Sequence, residues 1–170
     1  MPRPIMFSQT FPKDHPKAGT PTFFVEKIWK YLADHGDSTA LKSLEAEMQS
    51  EHEFSSEEIF PKSHTIRAGH RWHAHKLFSP RIWYGPPYRS KQTTIASDLM
   101  IRHVWDILIL PSKEVFINGE LYGFYGSPEI AKLAYHDGLT NSDFQHWFSK
   151  LPFDGQIICW DPDLDYTVTH

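Results

Sequence analysis

The sequence predicts an α+β domain, and three observations carry that prediction. Apolar residues recur at helical spacing near 24–32 and again near 144–151. Short β-like runs crowd the stretch between, from 63 to 122. Turn residues punctuate those runs at close intervals. The chain has 170 residues, 40% hydrophobic and 15% aromatic, enough for one sizeable core. The expected organisation is an extended arm over 1–21 and a single domain over 22–170.

The elements follow in order. Pro2, Pro4, Pro12, Pro16 and Pro21 exclude a regular helix from the arm. Phe24, Ile28, Tyr31 and Leu32 then fall at i, i+4, i+7 and i+8, an amphipathic helix that Gly36 ends. Asp37 or Ser38 can cap a second helix with Leu41, Leu44 and Met48 on one face. Its other face, with Lys42, Glu45, Glu47 and Gln49, is polar, so this helix belongs at the surface. Residues 51–60, EHEFSSEEIF, read as an acidic connector.

Beyond the connector, 63–68 and 77–84 read as strands, the second followed by a Gly85-Pro86-Pro87 turn. Residues 93–110 hold one long strand or two short ones. The runs 115–117 and 120–122 flank Asn118-Gly119, a strong hairpin signal because both residues tolerate positive φ. Ser127, Pro128 and Glu129 supply a cap, an N1 proline and a first-turn acid for a helix that Gly138 closes. Thr140 and Asp143 form a capping box for a last helix, whose Phe144, Trp147, Phe148 and Leu151 share an apolar face. A strand at 156–160 ends the series. Two helices, several strands, two helices and a strand make an α+β domain with a small closed sheet.

Composition narrows the function classes. Cys159 is the only cysteine, which excludes an intrachain disulfide and a multi-thiolate metal site. The first sixteen residues lack the apolar run of a signal peptide, and the longest apolar tract, 107–111, is strand-sized. The expected location is the cytoplasm, with no membrane partner. The net charge is −4, yet no acid occurs between Glu58 and Asp98. That window holds Lys62, Arg67, Arg71, Lys76, Arg81, Arg89 and Lys91, seven of the 17 basic residues. A pI near 6.2 for the whole chain therefore conceals a basic face on an acidic body, suited to an anionic partner.

Within that window, Lys62-Ser63-His64-Thr65-Ile66-Arg67 is the chemically richest run. On a strand, Ser63, Thr65 and Arg67 share one face, and His64, Ile66 and Ala68 share the other. A hydroxyl beside a permanent cation suits a phosphate or carbonyl oxygen. Lys62 can meet Thr65 only from the preceding turn, which Pro61 allows. The alternative is an ordinary edge strand with solvated Lys and Arg.

The run Lys-x-x-Thr-Ile-Arg resembles the signature of ASCH domains, members of the PUA-like superfamily known in bacteria and phages. A second likeness lies at Ala134-Tyr135-His136-Asp137-Gly138-Leu139 with Asp143-Phe144, where family members carry an acid. The resemblance implies a small β-barrel flanked by helices, with the arm and the 37–50 helix as additions. It implies RNA or nucleotide binding and no cofactor. Some small bacterial members are amidohydrolases that deacylate N4-acetylcytidine, which here would cast Lys62 as base, Thr65 as nucleophile and Asp137 as the assisting acid. A Thr hydroxyl is inert at neutral pH unless a base takes its proton, so the trio is chemically coherent. The family enzymes carry Glu where Asp137 stands, and Asp reaches one methylene less. Taken without the resemblance, Asp137 is a carboxylate at the unfavourable end of a helix dipole, or simply part of an Asp-Gly turn.

Aromatic residues interleave with the cations. Trp72, Trp83, Tyr84 and Tyr88 offer stacking surfaces beside Arg67, Arg71, Arg89 and Lys91, the pattern by which single-stranded nucleic acid is held. Core placement is the competing reading for Trp72 and Trp83. The loop 84–91 is too proline-rich for a core and reads as a lip over the cleft. The arm, through Lys13, His15 and Lys17, is expected to fold across the same site. His70, His73 and His75 could bind a metal only without a neighbouring acid in sequence and beside Arg71 and Lys76, so they read as polar surface residues.

Overall fold

A computed structural model describes residues 2–50 and 59–167. In chain order its elements are β1 (Arg3–Met6), α1 (Phe24–Asp34), α2 (Ser38–Met48), β2 (His64–Ala68), β3 (Leu77–Trp83), β4 (Gln92–Thr94), β5 (Leu99–Met100), β6 (His103–Ile109), β7 (Glu114–Ile117), β8 (Glu120–Phe124), α3 (Pro128–His136), α4 (Asn141–Trp147) and β9 (Phe153–Cys159). This is a mixed α+β chain, in two compact units. The first takes the residues up to Lys62 together with Leu77–Leu99; the second takes Ser63–Lys76 and the chain from Met100 onward. Most of the acidic connector, 51–58, lies outside the described residues.

In the first unit the arm is not extended throughout: Arg3–Met6 joins a sheet, whereas residues 13–20 form turns that bring Thr10 back beside Pro21. β1 runs parallel to β3, with Ile5 opposite Pro80, and β4 pairs antiparallel on the other side of β3. α1 buries Phe24, Ile28, Tyr31 and Leu32 as its spacing predicts, and Val25 and Lys27 besides. Asp37 caps α2 by accepting a hydrogen bond from the Ala40 N–H at 3.0 Å. The covered stripe of α2 is Ala40 and Leu44, while Leu41 and Met48 are exposed. α2 packs against α1, and among the described residues only this narrow stripe is covered. The region 93–110 divides into three strands rather than one or two, broken by a bend at Ala96 and Ser97 and again at Ile101 and Arg102.

In the second unit five strands form an antiparallel sheet in the order β2-β9-β6-β7-β8. The last strand in sequence, β9, thus lies between β2 and β6, and its Ile157, Ile158 and Cys159 are fully buried. Asn118 and Gly119 turn the β7–β8 hairpin with φ of 51° and 81°. Ser127 caps α3 and Thr140 caps α4, each accepting a backbone N–H three residues on. Ile130, Leu133 and Ala134 of α3 are fully buried.

A small closed sheet is not what forms: among the described residues neither sheet closes on itself, and β2 and β8 are edges. β3 pairs with the arm strand β1 on one side and with β4 on the other, in a sheet of its own. No helix among the described residues is long and apolar enough to cross a membrane.

Candidate functional site

β2 positions the central motif. It pairs with β9 so that Thr65 stands opposite Ile158 and Arg67 opposite Gln156. Although β2 is an edge strand, its side chains are not solvated in the way a plain edge would leave them. Ser63, His64, Thr65 and Ile66 are all buried, His64 completely, and Arg67 is partly so. Gly155 permits this close pairing, because a Cβ there would collide with the backbone carbonyl of Arg67.

Arg67 and Thr65 are joined directly. The Arg67 Nε–H donates to Thr65 Oγ1 at 3.2 Å. Burial pulls the Arg67 pKa from 12.5 down to about 10; the charge of Asp137 works against that shift and the charge of Arg71 adds to it. Asp137 therefore lies within electrostatic reach of the motif in the same unit. It terminates α3, its N–H donating to the Leu133 and Ala134 carbonyls, and it is buried.

Sequence reasoning missed three residues of this cluster. His64 Nδ1 lies 3.4 Å from Asp137 Oδ1, and His64 Nε2 is 2.7 Å from the Tyr166 hydroxyl. Burial pushes that hydroxyl's pKa up, so it is neutral and can donate to the ring. Tyr166 thus donates to Nε2, and Nδ1 faces the Asp137 carboxylate at a distance longer than a good hydrogen bond. His136, last residue of α3, has its Nδ1 3.4 Å from Ser63 Oγ. Burial, then the nearby His64 and Lys132, lower its pKa to about 4, against the pull of Asp161. His64 stood inside the motif, on the face opposite Thr65. Tyr166, 102 residues away, had no local signal.

Lys62 belongs to the first unit, one peptide bond before Ser63. It is almost fully buried, with its N–H donating to the Lys27 carbonyl at 3.0 Å. Its ammonium lies 4.4 Å from the centre of the Phe24 ring and 5.9 Å from that of Phe7. Of the expected trio, Thr65 and Asp137 thus share a unit, and Lys62 belongs to the other.

The expected binding residues divide likewise. In the second unit Arg71 is exposed, its guanidinium 5.4 Å from the Trp72 ring. Trp72 itself is core, which corrects its assignment as a stacking platform. Its N–H donates to Gln156 Oε1 and its carbonyl accepts from Gln156 Nε2, at 3.0 and 3.1 Å. In the first unit Tyr84 and Tyr88 are 82% and 89% exposed, and Arg89 and Lys91 are exposed beside them. Their loop is internally tied: the Tyr84 N–H donates to the Lys91 carbonyl, and Ser90 Oγ donates to Pro86 O while accepting from the Gly85 N–H. Trp83 packs against Tyr88 with ring centres 5.3 Å apart. In the arm, His15 is buried within a local turn, its Nδ1 accepting from the Lys17 N–H, and Lys17 lies over Phe11.

The histidine cluster resolves into one clamp and two exposed rings. His70 Nδ1 is 2.9 Å from Asp106 and its Nε2 is 2.8 Å from Asp154, so the fold brings it two acids that its sequence neighbourhood lacks. Each carboxylate takes a different ring nitrogen, so the three groups do not converge on a point. Among the described residues no group of three His, Cys, Asp or Glu is placed to hold a metal ion. Compared with protein-family models, curated proteins and solved structures, the chain matches none.

Proposed function

We propose that this chain is an ASCH-like, PUA-like domain that binds RNA or a nucleotide, in the cytoplasm, with one base held at the Thr65–Arg67–Asp137 cluster. The observation that supports this most is the hydrogen bond from Arg67 to Thr65 in the same buried region as the Asp137 carboxylate. A guanidinium and a hydroxyl can bind a base carbonyl or a phosphate, and a carboxylate accepts from an exocyclic amine such as that of cytosine. In the other unit, Tyr84 and Tyr88 supply exposed π-faces beside Arg89 and Lys91, suited to further nucleotides. In this reading the sheet β2-β9-β6-β7-β8 plays the part of the family's barrel.

Anisotropy of a panel of short labelled RNAs at graded salt tests the proposal. Binding is expected to weaken as salt rises, with Arg67→Ala and Arg89→Ala each costing about tenfold in affinity, or ~1.4 kcal/mol. Absent or salt-insensitive binding across the panel overturns it.

A second reading, amide hydrolysis of N4-acetylcytidine, is favoured by one detail. A cationic N–H aimed at the Thr65 oxygen stabilises that oxygen as it loses its proton and attacks. The Thr65 oxygen would bond to the acetyl carbon, the C–N bond would break with a proton passing to the cytosine amine, and water would release acetate. Lys62 takes the base's role by family resemblance, with Asp137 assisting. Incubation with N4-acetylcytidine should yield cytidine, and Lys62→Ala and Thr65→Ala should abolish turnover while near-UV circular dichroism is preserved. No turnover by folded wild type, or full activity in the Lys62 variant, removes this reading.

A further inference from the structure

The loop 84–91 of the first unit holds one residue where neither conformation nor solvation favours it. The Arg89 N–H donates to the Pro86 carbonyl at 3.2 Å, closing a four-residue turn. Pro87 stands second in that turn and Tyr88 third, with a φ of 64° at Tyr88. A proline followed by a positive φ is the pattern of a type II turn, whose third position suits Gly or Asn. A bulky L side chain strains the backbone there. Burial does not offset that strain, because Tyr88 is 89% exposed; Trp83 braces its ring at 5.3 Å between centres. The rest of the loop is a fixed frame. The Tyr84 N–H donates to the Lys91 carbonyl at 2.8 Å, and Ser90 Oγ ties Pro86 O to the Gly85 N–H at 2.8 and 2.9 Å. A frame already ordered loses little freedom when a ligand settles on it. Strain kept at an exposed aromatic in such a frame points to a ligand contact.

We propose that Tyr88, with Tyr84 in the same loop, stacks on the base of an unpaired nucleotide, so that this loop selects single strands over duplex. The inference rests on the nucleic-acid reading above and narrows it to the state of the strand. Arg89 and Lys91 hold the flanking phosphates. The loop has no Asp, Glu, Asn or Gln with which to read a base edge, so the base face is what it engages. In a duplex each base face is covered by its neighbours, and an exposed ring has nothing to meet. Charge alone gives the opposite order: a duplex carries the denser phosphate charge, so a purely cationic face binds it at least as well as a single strand.

Anisotropy on the full chain compares three labelled probes: an unstructured RNA strand, the same strand paired with its complement, and an abasic ribose-phosphate strand of equal length. The unpaired RNA should bind at least about tenfold tighter than either of the others. Tyr88→Asn suits the positive φ and removes the ring. It should cost about tenfold on the unpaired RNA, leave affinity for the abasic strand unchanged, and keep the melting temperature at or above that of wild type. Tyr88→Phe keeps the ring face and should bind as wild type does. Equal or tighter binding of the duplex, equal binding of the abasic strand, or full affinity in Tyr88→Asn overturns the inference and leaves the broader reading standing. A melting temperature that falls in Tyr88→Asn makes the ring a structural brace and overturns it too. If no probe binds at all, the broader reading fails and takes this inference with it.

Discussion

Nδ1 of His64 and Oδ1 of Asp137 stand 3.4 Å apart, and both side chains are almost wholly removed from solvent. The distance is longer than a good hydrogen bond, so the contact is chiefly electrostatic. Asp137 also offsets part of the cost of burying Arg67. One carboxylate at a helix end therefore steadies both a ring and a guanidinium on β2.

Asp137→Asn keeps the shape and removes the charge. Leaving Arg67 and His64 without that carboxylate should lower stability by about 1–3 kcal/mol in urea unfolding. RNA affinity should fall alongside, because the acceptor for an exocyclic amine loses its charge. A variant with unaltered unfolding midpoint and affinity would deprive Asp137 of both roles.

Gly155→Ala tests the pairing of β2 with β9. The added methyl meets the Arg67 carbonyl, which is backbone and cannot rotate away. β2 must shift, so thermal stability should drop and binding at Arg67 should weaken together. Wild-type behaviour in both assays contradicts the close approach of the two strands.

His70 should make stability fall as the solution becomes alkaline. Hydrogen bonds donated by its ring to Asp154 and then to Asp106 raise its pKa above the ordinary 6.5. A group whose folded pKa is raised contributes fully below its unfolded pKa and is lost as pH rises through the folded one. Melting temperatures between about pH 6 and about pH 9 should decline more steeply for wild type than for His70→Gln. Parallel curves would show that the clamp adds nothing in solution.

His136 works in the opposite direction. Its pKa falls from 6.5 to about 4 on folding, mainly through burial. Across that interval the unfolded chain binds the extra proton, so stability should decrease as pH drops from 6.5 toward about 4. His136→Gln should blunt the acid sensitivity of chemical unfolding in this window, and an unaltered acid limb would contradict the assignment.

The sequence by itself determined what neighbours in the chain decide. The caps at Asp37, Ser127 and Thr140 and the Asn118-Gly119 hairpin involve groups a few residues apart, so composition and spacing specify them. The α1 face was legible for the same reason; of the face expected for the last helix, Phe144 and Phe148 are buried, but the helix ends at Trp147 and Leu151 lies beyond it. Tertiary structure decided which periodic face is covered, as α2 shows by burying Ala40 and Leu44 while exposing Leu41 and Met48. It also decided the fate of Trp72, which Gln156 fastens into the core from 84 residues away. The acids that grip His70, the tyrosine behind His64 and the arm strand beside β3 arrive in the same manner. Alternation tells which side chains share a face, but a partner brought by strand order leaves no periodic trace along the chain. Thr65 and Arg67 could be placed on one face of a strand from sequence; that the strand would be buried beside Asp137 depended on β9 entering the sheet between β2 and β6.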